Sequence, residues 1–497
     1  MNKITVAAAA ALFGGFATYA AAQSNSELPD IGNPAGTIAN LDDEYQIGRM
    51  VIHEFRDQNE IIEDPEVSDY VQTLGLRLSS QAPDSERVFH YYALREGDIN
   101  AEALPGAFIV INYGTILAAD NESELAGVLA HETAHVTQRH IVRGALAQSH
   151  QSLETAAAIL GAIALGALGG GSAAVEGGLL AAEGMGAQMQ INFTRDQEYE
   201  ADRVGMTYLA HAGFDPLGLP NFFETFYRRY GYSESHIPRM LVDHPVTSER
   251  VGEARNRAAL LERPRHIEDS VSFGLIQERL RVLTASEEFD LRAYYAGRVN
   301  MRDPPLAVLY GQALAFVQRG HPADAIAILQ PLVTANQGVI MLHTLLAQAQ
   351  IAAGHVQDGL ATFARAETLF PRNVPLTVHY GEALISANQP AKAHELLLDL
   401  FNNVTPTPAQ IRLTALAASS AGDAADAYYY MGEYDLSNGD LPLATQQLEL
   451  ALASPNLTVV QRKRFQARLK EIRDAILEER RAHGGRSPDS GNGGPGG

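Results

Sequence analysis

Apolar residues recur at helical spacing through most of this chain from about Asp42 onward, and Val67 to Leu78 is a clear example. Two short runs differ. Val88 to Leu94 and Phe108 to Asn112 read as strands. After the second, Asp120-Asn121-Glu122-Ser123-Glu124 reads as a helix start, where Asn121 can cap and Glu124 can close a capping box. Leu125, Val128, Leu129, Glu132, His135 and Val136 then fall at 3.6-residue spacing. The pattern predicts a mainly α protein: an α+β unit with a small sheet, followed by an all-α repeat solenoid.

The repeats begin near Leu306. Gly320, Gly354 and Asn388 are 34 residues apart (354−320, 388−354). Ala313, Ala347 and Gly381 precede them by seven residues, and Ala325, Gly359 and Ala393 follow by five. Period 34 with small residues at the helix contacts is the tetratricopeptide signature. Gly432, Gly439 and Ala444 repeat the register, Arg279 to Val299 reads as a degenerate unit, and Phe401 to Ala424 breaks the register as a divergent unit or loop. The expected domains are 23–265 for the α+β unit, 266–475 for the repeats, and a disordered Gly/Pro/Ser-rich tail over 476–497.

Two further runs look like membrane segments. Lys3, the apolar stretch Ile4 to Phe16 and Ala20-Ala21-Ala22 before Gln23 fit a signal peptide over 1–22, cleaved near Ala22 into the periplasm. An uncleaved anchor is the alternative, and the small residues at the end of the run favour cleavage. Residues 155–175 carry no charge, yet they include five glycines and lie between His135 and Glu198. A single crossing would separate those two residues across the membrane. The segment 155–190 therefore reads as a lid or plug over a cleft, with peripheral membrane contact, or else as a buried Ala-rich helix pair.

The candidate chemistry sits in His131-Glu132-Thr133-Ala134-His135. Two histidines at i and i+4 share one helix face and can hold Zn²⁺, with Glu132 beside them as the base. Zinc lowers the pKa of its water to about 7, which makes a nucleophile at neutral pH. A catalytic zinc needs a third protein ligand. A third His at the metzincin spacing is missing, because position 141 is Ile141, position 138 is Gln138, and His140 is one residue short. Glu198 and Asp202, at i and i+4 on a second helix, are the better candidates: Glu198 as ligand, and Asp202 as hydrogen-bond acceptor for a ligand His. In Asp243-His244-Pro245, His244 is a candidate fourth ligand, a gate or an oxyanion stabiliser, or it simply anchors the turn. Arg250 is a candidate for oxyanion binding or site support.

His131-Glu132-x-x-His135 with Glu198-x-x-Ala201-Asp202 resembles the HtpX-type zinc metallopeptidases, within them the soluble periplasmic branch that carries tetratricopeptide repeats. The likeness runs through Asn100-Ala101, Ile109-Val110-Ile111, Val136 to His140, Gly213-Phe214-Asp215-Pro216, and Asp243-His244-Pro245 with Glu249-Arg250. It implies one Zn²⁺ per chain held by His131, His135 and Glu198, with Glu132 as catalytic base. It also implies protein substrates, namely misfolded or stalled outer-membrane proteins. The repeats would dock on the outer-membrane barrel-assembly machinery, and a chaperone activity is expected beside proteolysis. By analogy with such architectures, the strand before the metal helix pairs with extended substrate. Thr133 departs from the family, where an aliphatic residue is usual.

Composition narrows the rest. In 497 residues there is no Cys, so disulfide and thiolate-metal chemistry are excluded. A net charge of −22 argues against nucleic acid, whose phosphates want a basic face.

Overall fold

The computed structural model describes residues 40–83, 87–148, 194–230, 240, 244–264, 268–301 and 304–484. The signal-peptide segment and the uncharged run expected as a lid lie outside the described residues. No helix among the described residues is long and apolar enough to cross a membrane.

Helix α1 (Leu41–Asp57) opens on a capping box between Asn40 and Asp43, and α2 (Pro65–Ser79) on an Asp64 cap with Pro65 in the first turn. A three-stranded sheet follows, made of β1 (His90–Leu94), β2 (Ala101–Leu104) and β3 (Phe108–Asn112). The spatial order is β1-β3-β2, with β3 parallel to β1 and antiparallel to β2. Every residue of β3 is buried because both faces of this central strand are covered, Ile109 and Ile111 entering one core cluster and Phe108 and Val110 another. The expectation that β3 pairs with substrate is therefore corrected. Both its edges are occupied, and β2 is the strand that borders the site.

Helices α3 (Tyr113–Ala118), α4 (Glu122–Thr137), α5 (His140–Gln148), α6 (Arg195–His211), α7 (Gly218–Tyr230) and α8 (Ser248–Ala258) complete the first unit. The whole of α4 from Glu122 to Val136 is buried, so it is the axis of the domain rather than a half-exposed helix. Asn121 caps it by accepting from the Glu124 N–H at 3.0 Å. Glu124 reaches the Asp120 N–H at 2.9 Å, one residue outside the box read from sequence. The long axis of the core runs through Leu125, Val128 and Leu129 on α4, Met206 and Leu209 on α6, and Phe222 and Phe226 on α7.

The boundary at 266 is a shared element. In α9 (Val271–Leu283), Phe273, Ile276 and Leu280 pack into the first core, whereas Leu275 and Val282 pack into the repeat core. Arg279 on the same helix grips Asp64 through two bonds of 2.6 Å and Glu66 at 2.9 Å, and His379 of the repeats meets Glu66 at 2.9 Å. Burial alone would push the Glu66 carboxyl up, but Arg279 and His379 hold it down at about 2. A charged network buried between the two units fixes how they sit.

The repeats are helical hairpins. They comprise α10 (Leu291–Val299), α11 (Leu306–Gln318), α12 (Pro322–Ala335), α13 (Ile340–Ala352), α14 (Val356–Leu369), α15 (Val374–Ser386), α16 (Pro390–Phe401), α17 (Pro408–Ser420), α18 (Ala424–Ser437), α19 (Leu441–Ala453) and α20 (Val459–Gly484). Gly320, Gly354 and Asn388 all take positive φ (75°, 83° and 56°) in the turns, the conformation glycine adopts without a Cβ penalty.

Two expectations are corrected here. The register does not break at Phe401 to Ala424. Gly422, with φ 86°, continues the 34-residue spacing (422−388), and α17 and α18 form a regular hairpin about it. Gly439 then repeats the turn half a unit later. Nor does the disordered tail begin at 476, because α20 carries the chain through Gly484. Its Leu469, Ile472 and Ile476 lie at helical spacing against Ala444 and Leu448 of α19, which holds a charged sequence in helix.

Candidate metal centre

Helix α4 presents His131 and His135 on one face, and α6 presents Glu198 and Asp202 toward them. The helices touch through Gly205. A Cβ there would lie 2.8 Å from the Ala130 carbonyl oxygen and 3.0 Å from His131 Cα. This close approach brings a carboxylate from α6 within reach of two imidazoles on α4. The loop before α8 adds His244, with Thr247 capping that helix.

Four donor atoms converge. His131 Nε2 is 3.0 Å from His135 Nε2, 3.5 Å from a Glu198 oxygen and 3.4 Å from His244 Nδ1. Glu198 Oε1 is 3.5 Å from His135 Nε2 and 3.0 Å from His244 Nδ1. Ligands at about 2.0–2.1 Å in a tetrahedron stand about 3.3 Å from one another, so this spacing is that of one four-coordinate ion. All four side chains are buried. With the His131 proton on Nδ1 toward Asp202, its Nε2 offers a lone pair into the cluster, where a cation would take it. The donor set fits a metal on chemistry as well as on distance.

Glu132 points to the same place. Its Oε2 accepts from the Ala103 N–H of β2 at 3.0 Å, and its Oε1 is 3.7 Å from His244 Nε2. Asp202 Oδ1 lies 2.9 Å from His131 Nδ1 and so backs that ring from behind.

The model of peptidase family M48 matches residues 65–258. The beta-barrel assembly-enhancing protease of Escherichia coli K12 is 30% identical over 473 residues, covering 92% of this chain and 93% of its own length. The chain belongs to peptidase family M48. The beta-barrel assembly-enhancing protease of Yersinia pestis is 31% identical over 90% of this chain and 91% of its own length. A mitochondrial metalloendopeptidase of Schizosaccharomyces pombe is 27% identical over 37% of this chain and half of its own length. This M48 peptidase is a metalloendopeptidase, and the His131, His135, Glu198 and His244 cluster fits the family's site.

Electrostatics in the M48 site follow from burial. Burial disfavours charge on His131, yet hydrogen bonds to Asp202 and Glu198 outweigh it and push the ring up to about 10. Burial likewise opposes the Glu198 carboxylate, but His244 and His131 hold it well below the usual carboxylate range. His135 is pushed well below its ordinary value, first by burial and then by His131. The carboxylates favour positive charge at His131, while a second positive charge on His135 is disfavoured. Glu132 is raised above the ordinary carboxylate value by burial, against the pull of His244 and His131, which makes it a better proton acceptor.

Arg250 is not free for an oxyanion. It grips Asp202 through two bonds of 2.8 Å, reaches Glu198 at 2.6 Å and donates to the Pro245 carbonyl at 3.0 Å. Its geometry is that of a brace tying Glu198, Asp202 and the His244 loop together, and the oxyanion role is set aside. Burial opposes its charge, but Asp202 dominates and raises its pKa further.

Two residues make contacts that their sequence positions did not show. Thr133, the departure from the family, pairs its hydroxyl with Tyr91 at 2.9 Å in the core and also donates to the Leu129 carbonyl at 2.7 Å. Thr133→Val removes the partner on α4, and the expected cost is about 1 kcal/mol in urea unfolding. A double-mutant cycle with Tyr91→Phe should show coupling of a few tenths or more, whereas strict additivity would mean that the pair does not interact. The other is His140, which lies behind the His135 ring.

Proposed function

We propose that this M48 peptidase is an exported zinc endopeptidase of the periplasm that acts on outer-membrane β-barrel proteins, with residues 1–22 as its signal peptide. The names of its full-length relatives support the substrate class. The reading rests above all on the convergence of four buried donor atoms beside Glu132. An all-N/O set with three imidazoles and one carboxylate favours zinc.

Zinc, when bound, supplies a Lewis acid for the peptide carbonyl and an acidified water. The residues supply the rest. His131, His135 and Glu198 hold the ion, and Asp202 fixes the His131 ring. Glu132 takes the proton from the attacking water and returns it to the leaving amine. The Ala103 N–H holds Glu132 in place and faces away from β3, so β2 lies beside the reacting group, where an extended chain would be held by main-chain bonds. The repeat domain supplies a protein-docking surface for the client or the barrel-assembly machinery.

His244 sits where the fourth ligand would be, which supports a gated resting state. A chaperone or scaffold function with the site closed is the second reading, and this same contact favours it. His244→Ala should keep the metal and cleave faster. The gain should reach about tenfold if roughly nine-tenths of the wild type is closed. Casein cleavage with metal analysis on residues 23–497 tests this. Bound metal with no cleavage in either protein would favour the scaffold.

A further inference from the structure

His131 is backed directly by Asp202, and His135 is backed by a different kind of group. Behind it lies another imidazole, with His135 Nδ1 3.0 Å from His140 Nδ1. The far nitrogen of His140 is 3.1 Å from Glu200 Oε2. His140 is fully buried, and Glu200 sits at the surface, where Arg143 also binds it at 3.0 Å.

The proton positions follow from the chemistry. A histidine that ligates through Nε2 carries its proton on Nδ1. His135 Nδ1–H must therefore donate, and His140 Nδ1 must accept. The proton of His140 is then on Nε2, and it donates to Glu200. The chain runs from the metal to a surface carboxylate with every donor matched to an acceptor.

We propose that His140, oriented by Glu200, is a positioning residue that fixes the tautomer and ring angle of the metal ligand His135. The local backbone is built for this. Arg139 takes a left-handed φ of 51° between α4 and α5, which turns the chain so that the next residue falls behind His135. Arg139 is held there by Glu44 of α1. Gln197, next to the ligand Glu198, donates to the His140 carbonyl at 3.3 Å. Glu200 lies two residues beyond Glu198 on α6, so one helix supplies both a ligand and the end of the relay to another.

The inference rests on the reading of His135 as a metal ligand, and the experiment separates the two. Zinc affinity is measured on the full mature chain by chelator competition, with the cobalt(II) absorption spectrum and the melting temperature of the metal-free protein alongside. The variants are His140→Phe, His140→Asn and Glu200→Gln. Loss of such an outer partner costs about 10–100-fold in metal affinity. His140→Phe should show that loss and altered cobalt bands. His140→Asn, whose Oδ1 falls near the place of Nδ1, should recover much of it. Glu200→Gln should lose less, with an unchanged metal-free melting temperature.

Wild-type affinity in His140→Phe would overturn the proposal. So would an affinity loss that Asn does not restore and that tracks the metal-free melting temperature, because that is packing alone. If the Phe variant does not fold, Glu200→Gln at the surface decides: full affinity and an unshifted cobalt spectrum there overturn the proposal. A wild type that binds no zinc would overturn the ligand reading itself, and this inference with it.

Discussion

Glu132→Gln should reduce peptide cleavage by about 10²–10⁴-fold while bound metal stays at the wild-type level. Glutamine keeps the shape of the side chain and can still accept from the Ala103 N–H, so the fold and the ligand set are untouched. What disappears is a carboxylate whose pKa burial has raised. The ligands belong to other side chains, so metal retention separates this loss from a collapse of the site. Casein turnover with metal analysis on both proteins checks it. Activity within a few-fold of wild type would mean that another group takes the proton.

Gly205→Ala is expected to harm the site from a distance. The new Cβ would meet the backbone of Ala130 and His131 at 2.8–3.0 Å, and neither is the free end of a side chain. Helices α4 and α6 must part, at a cost of about 1–3 kcal/mol for overpacking. They carry His131 and His135 on one side and Glu198 and Asp202 on the other, so parting them weakens the ion's cage. Metal affinity should fall about tenfold or more, each factor of ten being about 1.4 kcal/mol. Gly252→Ala on α8 is the control, since a Cβ there meets nothing within 4 Å and alanine suits a helix. Equal metal affinities in the two variants would show that the close approach does not set the site.

The sequence shows its chemistry better than its geometry. The ligand helix, its cap at Asn121 and the acidic partner helix were all legible, because i, i+4 spacing on a helix is enough to place side chains on one face. The edge strand β2 was not. Ala-Glu-Ala-Leu favours helix on propensity, and its strand form is imposed by β3 and by the Glu132 carboxylate. His140 looked like a failed third ligand at the wrong spacing. Only the left-handed Arg139 explains why it lies behind His135 instead. Arg250 offered two roles, and its three partners leave one. In the repeats, Gly422 carried the register all along, but Thr-Pro-Thr-Pro before α17 reads as a break until the turn geometry is seen.

The measurement that bears most directly on the gated-metal account is zinc-edge X-ray absorption on the zinc-loaded mature chain. Three imidazole nitrogens and one carboxylate oxygen at about 2.0–2.1 Å should surround a four-coordinate ion. A spectrum fitted by two imidazoles with an enlarged oxygen shell, or a chain that holds no zinc, would contradict it.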